Sequence, residues 1–298
     1  VMISLVAKLL NNKDDRFWFA AIIIIAANAG GAWSPLGDVT TTMLWIGGQI
    51  TAWNIIKVTF IPSLIVCIIP ALIILRRINN NEQLTVEKEL SKNNKQGYLV
   101  LFSAILLLLL VPVFKTVLHI PPFMSMLFSL GIMWILTSII HFNKGEQERE
   151  KYSVTHALRN IDTPSILFFL GILLAVSALQ SSGVLLQLAD NLNNATQNVY
   201  VIGIILGLLS AVVDNVPLVA AAQGMYDLSV YPTDHVFWEF IALTTGTGGS
   251  IIIIGSAAGV AVMGIEKINF IDYLKKISWI AAIGFLAGAF AFILFNSF

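Results

Sequence analysis

A carboxylate in the middle of an apolar run is the first residue whose chemistry demands a reason. Asp214 lies in Asp214-Asn215-Val216-Pro217, at the centre of the apolar stretch Val199 to Leu228. An unpaired acid in such surroundings costs at least about 2.5 kcal/mol even on lenient membrane-insertion scales. One reading makes Asp214 or Asn215 the cap of a half-helix that begins at Pro217. Neutral Asn215 or Ser210 could cap without a charge, so Asp214 is expected to bind something, with Ser210, one turn earlier on the same face, as a further oxygen ligand. A second acid, Asp38, follows Ser34-Pro35, which reads as an N-cap with Pro at N1. That places Asp38 in the first turn of another half-helix, with Thr41 and Thr42 at i+3 and i+4 and Asn28 across the break; compensation of the helix dipole is the plainer role. Thr245, Thr247 and Ser250 form a third oxygen-rich group among glycines, where they either bind a ligand or satisfy freed backbone groups. Carboxylates, amide carbonyls and hydroxyls suit a hard, dehydrated cation such as Na⁺ or Li⁺, which is expected at Asp214 and Asp38. Glu239, next to Trp238, reads as a first-turn acid in an interfacial aromatic belt, and His119, His141, His156 and His235 as span-end or loop residues.

The elements that must position these residues are membrane helices. Of 298 residues 57% are hydrophobic and 11% charged, with mean hydropathy +0.84, whereas a soluble domain carries about 25% charge. Zero net charge and no basic patch interleaved with aromatics argue against nucleic acid. The single cysteine, Cys67, excludes a disulfide framework or a thiolate metal cluster. No cofactor is implied. The chain opens inside an apolar segment, Val1 to Leu10, without initiator Met, basic region or cleavage site, and is expected to be a fragment. Phe17 to Gly48 is too long for one straight crossing and is interrupted at Asn28 to Pro35. Spans are expected at 53–75, 98–118, 122–141, 164–188 (with a weak point at Gln180 to Gly183) and 273–295. The stretch 237–265 is broken at Thr244 to Ser250.

Basic residues test this layout, because cytoplasmic loops hold the excess. If 199–228 is a re-entrant hairpin, 15 of the 17 Lys and Arg fall on one side, all but Lys57 and Lys115; if it crosses, the bias drops to 12 against 5. The hairpin is the better model. Phe17-Trp18 with Gly30-Gly31 and Phe237-Trp238 with Gly248-Gly249 then form a repeat at an offset of 220 to 218. Its two copies run in opposite directions. The expected fold is therefore all-α: a polytopic membrane protein of inverted repeats, with re-entrant hairpins and broken transmembrane helices whose breaks mark the substrate site. The first repeat is expected to end within 1–76, a cytoplasmic loop to occupy 77–97 and the second repeat 98–298.

The stretches Ala26 to Thr41, Val213-Asp214-Asn215-Val216-Pro217 and Thr245-Gly246-Thr247-Gly248-Gly249-Ser250 closely resemble NhaD-type sodium/proton antiporters of the ion transporter superfamily. The resemblance covers essentially the whole chain. It implies two hairpins, each followed by a broken helix, with tips and breaks meeting at the ion site, and an Asp-Asn tip just before Val1. Exchange of cytoplasmic Na⁺ or Li⁺ for external H⁺ is the expected function, in a bacterial inner membrane, with the lipid bilayer and a homodimer as expected partners. Burial raises a carboxylate's pKa, so one site can hold either a proton or the cation. The rivals are an oxyanion or dicarboxylate transporter of the same superfamily, which would have neutral tips, and an intramembrane aspartyl protease using Asp38 and Asp214. The protease would need Gly-x-Gly-Asp, and only Gly37-Asp38 is present.

Overall fold

The computed structural model describes residues 2–10, 12–78, 95–142, 145, 153–159, 163–196 and 198–296. All regular structure among them is helical. Among the described residues four helices are each long and apolar enough to cross a membrane, Ala52–Leu75, Gln96–Leu118, Pro122–Ile140 and Ser278–Asn296, so the chain is a polytopic membrane protein. The cytoplasmic loop expected at 77–97 lies mainly outside the described residues, and Val1 lies outside them too. Two compact units are distinguishable, one of Val1–Val86 with Phe169–Phe298 and one of Glu87–Phe168.

The smaller unit is built on a helical hairpin, α5 (Lys95–Leu118) and α6 (Pro122–Ile140), with the short α7 (Val154–Arg159) after it. Pro121 precedes α6, Pro122 starts it, and His119 takes the left-handed conformation at φ 56°, so the chain reverses within three residues. Phe114 and Phe128 meet edge to face across the pair, 6.1 Å apart.

The larger unit contains α1 (Met2–Leu9), α2 (Lys13–Gly31), α3 (Val39–Ile46), α4 (Ala52–Leu75), the end of α8 (Thr163–Ser181), α9 (Val184–Ala195), α10 (Val199–Leu209), α11 (Asn215–Met225), α12 (Val236–Gly248), α13 (Ala257–Glu266), α14 (Phe270–Lys276) and α15 (Ser278–Asn296). The span expected at 164–188 is bent by 77° between Leu170–Ser181 and Val184–Leu192. Gly183 at φ 76° makes the corner, a conformation that costs glycine little. The last span starts at Ser278, with α14 as a separate short helix before it. Helix α15 packs on α4 through Gly284 and Gly288: a Cβ on Gly288 would collide with Val66 Cγ2, and one on Gly284 with Pro70 Cγ. Two small residues four apart let helix backbones approach where no hydrophobic effect drives them together.

Cross-chain contacts fix the directions of these helices. Asp234, just before α12, donates its N–H to Gln49 O at 2.8 Å and accepts from Thr51 N–H at 2.6 Å, so the end of α3 and the start of α12 share one face. Tyr200 meets Phe240 at 5.3 Å, and a Cβ on Gly248 would collide with Gly207 O. Helix α10 therefore runs alongside α12 in the same direction, from that face inward. Gln223, near the end of α11, donates to Met43 O at 3.2 Å. Residues 199–225 thus enter from one face, turn at 210–214 and return to it. On the opposite face the start of α2 meets the end of α13 through Arg16 Nη2 and Glu266 Oε2, 2.6 Å apart. There Arg77 lies over the rings of Trp18 and Trp279, at 5.4 and 5.3 Å, and Lys276 over Phe17 at 5.3 Å. The broken pairs α2/α3 and α12/α13 accordingly run antiparallel. The Arg16 face carries the excess of basic residues expected of a cytoplasmic side.

Candidate functional site

Three half-helices begin at the centre of the larger unit, and their caps face one another. Asp38 caps α3, Asp214 caps α11 and Ser256 caps α13. A cavity of about 180 Å³ lies between them, lined by Asn28, Asp38, Asp214, Asn215 and Ser256 together with the first residues of the three helices.

Asp38 is held by three donors. Its Oδ1 accepts from Val39 N–H at 2.7 Å, and its Oδ2 accepts from the Thr40 hydroxyl and from Asn215 Nδ2, each at 2.9 Å. Thr41 completes a capping box by accepting from Asp38 N–H at 3.2 Å. The helix does not start at Ser34-Pro35 as expected. Gly37 N–H donates to Ser34 O at 3.1 Å, which closes residues 34–37 into a turn and defers the helix to Val39, so Asp38 is the cap and not a first-turn residue.

Asp214 is held less tightly. Its Oδ1 accepts from Val216 N–H at 3.1 Å, and among the described residues nothing donates to Oδ2. Asn28 donates both amide hydrogens to the second break, to Ser250 Oγ at 2.8 Å and Ser256 Oγ at 2.9 Å, which leaves its carbonyl oxygen as the group it can offer a ligand. Asn28 and Asn215 thereby tie the first break to the second break and to the hairpin tip. The close approach of Gly248 to Gly207 O and Ser210 Oγ holds the break against the hairpin, and the buried Tyr273 hydroxyl on α14 donates to Ser250 O at 2.8 Å.

The remaining expected site residues do not line the cavity. Thr42 donates to Asp38 O at 2.8 Å and lies 2.9 Å from Pro35 O. Ser210 donates to Gly207 O at 2.7 Å, Thr245 to Ile241 O at 2.7 Å and Thr247 to Leu243 O at 2.6 Å. These hydroxyls satisfy carbonyls of their own helices, and Ser250 acts by receiving Asn28. Ser256 and Thr40 are site residues that the sequence reading does not single out. The repeat holds the signal for Ser256, because the offset of 218 carries Asp38 onto it.

Glu239 also departs from expectation. It is 3% exposed, beside fully buried Phe237 and Trp238, and not in a lipid-facing aromatic belt. The amide of Asn54, on α4, donates to its Oε1. The pattern Phe237-Trp238 marks packing against α4, α10 and the 226–231 turn, where Tyr231 stacks on Phe237 at 4.2 Å.

Antiparallel broken helices whose caps meet at a small polar cavity inside a polytopic α-helical membrane protein are the architecture found in secondary transporters. The chain belongs to the citrate transporter family (CitMHS), whose model matches residues 1–248, and several of its relatives are named sodium/proton antiporters, among them NhaD proteins. Sodium/proton antiporter 1 of Arabidopsis thaliana is 47% identical over 98% of this chain and 51% of its own length. Sodium/proton antiporter 2 of the same plant is 44% identical over 100% of this chain and 72% of its own length. The Na⁺/H⁺ antiporter NhaD of Vibrio parahaemolyticus is 31% identical over 92% of this chain and 70% of its own length. The chain thus spans about half the length of the first of these relatives. Membership in a transporter family, with relatives named as antiporters, sets the protease reading aside.

Proposed function

We propose that the protein exchanges Na⁺ or Li⁺ for H⁺ at the cavity between Asp38, Asp214, Asn28 and Asn215, with the gradient of one ion driving the other. The observation that carries this reading is the pair of acids at converging half-helix N-termini, one of them with an unengaged oxygen. Each N-terminus carries roughly +0.5 charge, so three contribute about +1.5 against −2 from two ionised carboxylates, leaving the site near −0.5. One monovalent cation or one proton takes the site to about +0.5, as near neutrality as the empty site, whereas both together would take it to about +1.5, so the two exclude each other. Asp214 Oδ2 can take either without breaking an existing hydrogen bond. Competition at this oxygen, with access alternating between the two faces, is sufficient for obligatory exchange. Ser250, Thr41, Thr42, Ser210, Thr245 and Thr247 support the site by holding its backbone.

A second reading, transport of an oxyanion or carboxylate, draws on the family's description as citrate transporters and on the three N-termini, which attract anions. The same charge sum disfavours it, since an anion would join two acids already there. The division into repeats at 1–76 and 98–298 is part of the proposal and rests on the antiparallel course of the broken helices. So is a homodimer, which cross-linking in membranes would detect. The NhaD relatives are bacterial and the relatives at 44–47% identity are plant proteins, so the proposed location is an energised membrane, with the bacterial inner membrane as one case.

The test is Na⁺-induced collapse of a pH gradient in vesicles holding the purified protein. Asp214→Asn should abolish it while the protein stays folded, because Asn caps a helix about as well as Asp. Normal exchange by this variant, or citrate uptake without Na⁺/H⁺ exchange in the unaltered protein, would replace the proposal.

A further inference from the structure

We propose that Glu239 is the proton-loading group on the face opposite Arg16, taking a proton from water on that side and handing it inward during the exchange; this rests on the antiport reading above. Glu239 is 3% exposed. Its one described hydrogen bond comes from a neutral amide, Asn54 on α4, and among the described residues it forms no ion pair and Oε2 receives no donor. A buried carboxylate without a counter-cation is stabilised by taking up a proton. A helix link alone would not require an acid, because Gln offers Asn54 the same carbonyl oxygen.

Glu239 is also well placed to receive a proton from water. It sits in the first turn of α12, just inside Asp234, whose carboxylate accepts from the exposed Thr51 hydroxyl at 2.8 Å. It stands roughly 14 Å along the helix from Gly248, at 1.5 Å per residue. It is therefore near water at one end of the half-helix that leads to the cavity at the other. The other titratable groups around it have separate engagements. Asp234 is taken up with Thr51, and His235 Nδ1 accepts from Phe237 N–H at 3.2 Å. Tyr226 and Tyr231 pack on the ring of Phe237, at 4.9 and 4.2 Å, and Tyr200 on Phe240. Lys57 on α4 is exposed, Cys67 lies farther along α4, and the charged residues of α2 sit at its start, on the Arg16 face. Helices α3, α11 and α15 contribute no titratable side chain. The transfer is a proton exchange only: external water protonates Glu239, and the same proton leaves for the interior, restoring the carboxylate.

The experiment measures exchange in vesicles as a function of pH on the Asp234 face. Glu239→Gln should lower the rate at the optimum about 100-fold, the scale of a lost positioned acid, and flatten the pH profile, with Na⁺ half-saturation within about twofold of the parent. Glu239→Asp should restore a pH-dependent rate. Asn54→Ala, which keeps the acid and removes its partner, should shift the profile while retaining the maximal rate. If Gln matches the parent at every pH and Asp fails, Glu239 is a helix link and the proposal falls. It falls likewise if Asn54→Ala reproduces the loss. Should the parent protein show no Na⁺/H⁺ exchange, the antiport reading fails first. The infrared carboxyl band then decides separately: a protonated C=O stretch that disappears on alkalinisation and is absent in Glu239→Gln supports a titrating Glu239, and its absence in the parent overturns it.

Discussion

Replacing Asp38 by Asn removes one charge and one acceptor from a residue that uses both oxygens. Val39 N–H points at Oδ1, while the Thr40 hydroxyl and the Asn215 amide point at Oδ2. An asparagine has one oxygen, so its NH₂ must face either Val39 or the Thr40 and Asn215 pair. At least one hydrogen bond to a charged group is lost, worth about 1.5–3 kcal/mol, and a donor is left against a donor. Asp214→Asn carries no such conflict, since its one hydrogen bond survives on the amide oxygen; its stability cost should stay below about 0.5 kcal/mol. Thermal unfolding of both variants in detergent, alongside exchange in vesicles, separates the two acids. Asp38→Asn should be about 2 kcal/mol less stable and also inactive, and Asp214→Asn stable and inactive. Asp38→Glu, which keeps the charge and moves it by one methylene, should weaken apparent Na⁺ affinity more than it lowers expression. Equal stability of the two Asn variants would refute the assignment of Asp38 as the organiser and Asp214 as the exchanging acid.

Ser256→Ala should cost about 1 kcal/mol as a lost N-cap and raise the Na⁺ half-saturation, because Asn28 loses one of its two anchors; an unchanged half-saturation in transport assays would place Ser256 outside the site. Arg16→Ala should destabilise the protein by about 3–5 kcal/mol, since it strands the buried Glu266 carboxylate, whereas Arg16→Ala combined with Glu266→Gln should recover most of that loss in the same unfolding measurement. Cysteines at Asn194 and Ser229 should react with an impermeant thiol reagent from the same side of the membrane, and opposite-side labelling would be incompatible with a hairpin at 199–225.

Much of this architecture is legible in one dimension because a bilayer imposes one-dimensional rules. Apolar length sets spans, basic residues set sides, and Gly-rich interruptions with polar residues mark breaks; the antiparallel course of α2/α3 and α12/α13 follows from those three alone. The sequence also singles out Asp38 and Asp214, since a carboxylate in apolar surroundings needs compensation wherever the chain folds. What each acid does is decided only by tertiary contacts. The turn at 34–37 makes Asp38 a cap, Asn215 reaches it from 177 positions away, and the Thr245 and Thr247 hydroxyls are spent on their own helices. Ser256 enters because Asn28 crosses to it. Burial of Glu239 is likewise invisible in sequence, where Phe237-Trp238-Glu239 suits a lipid interface as well as a packed helix. Composition and local spacing report which groups are costly to leave unpaired, and pairing itself is decided by which distant segments the fold brings within about 3 Å.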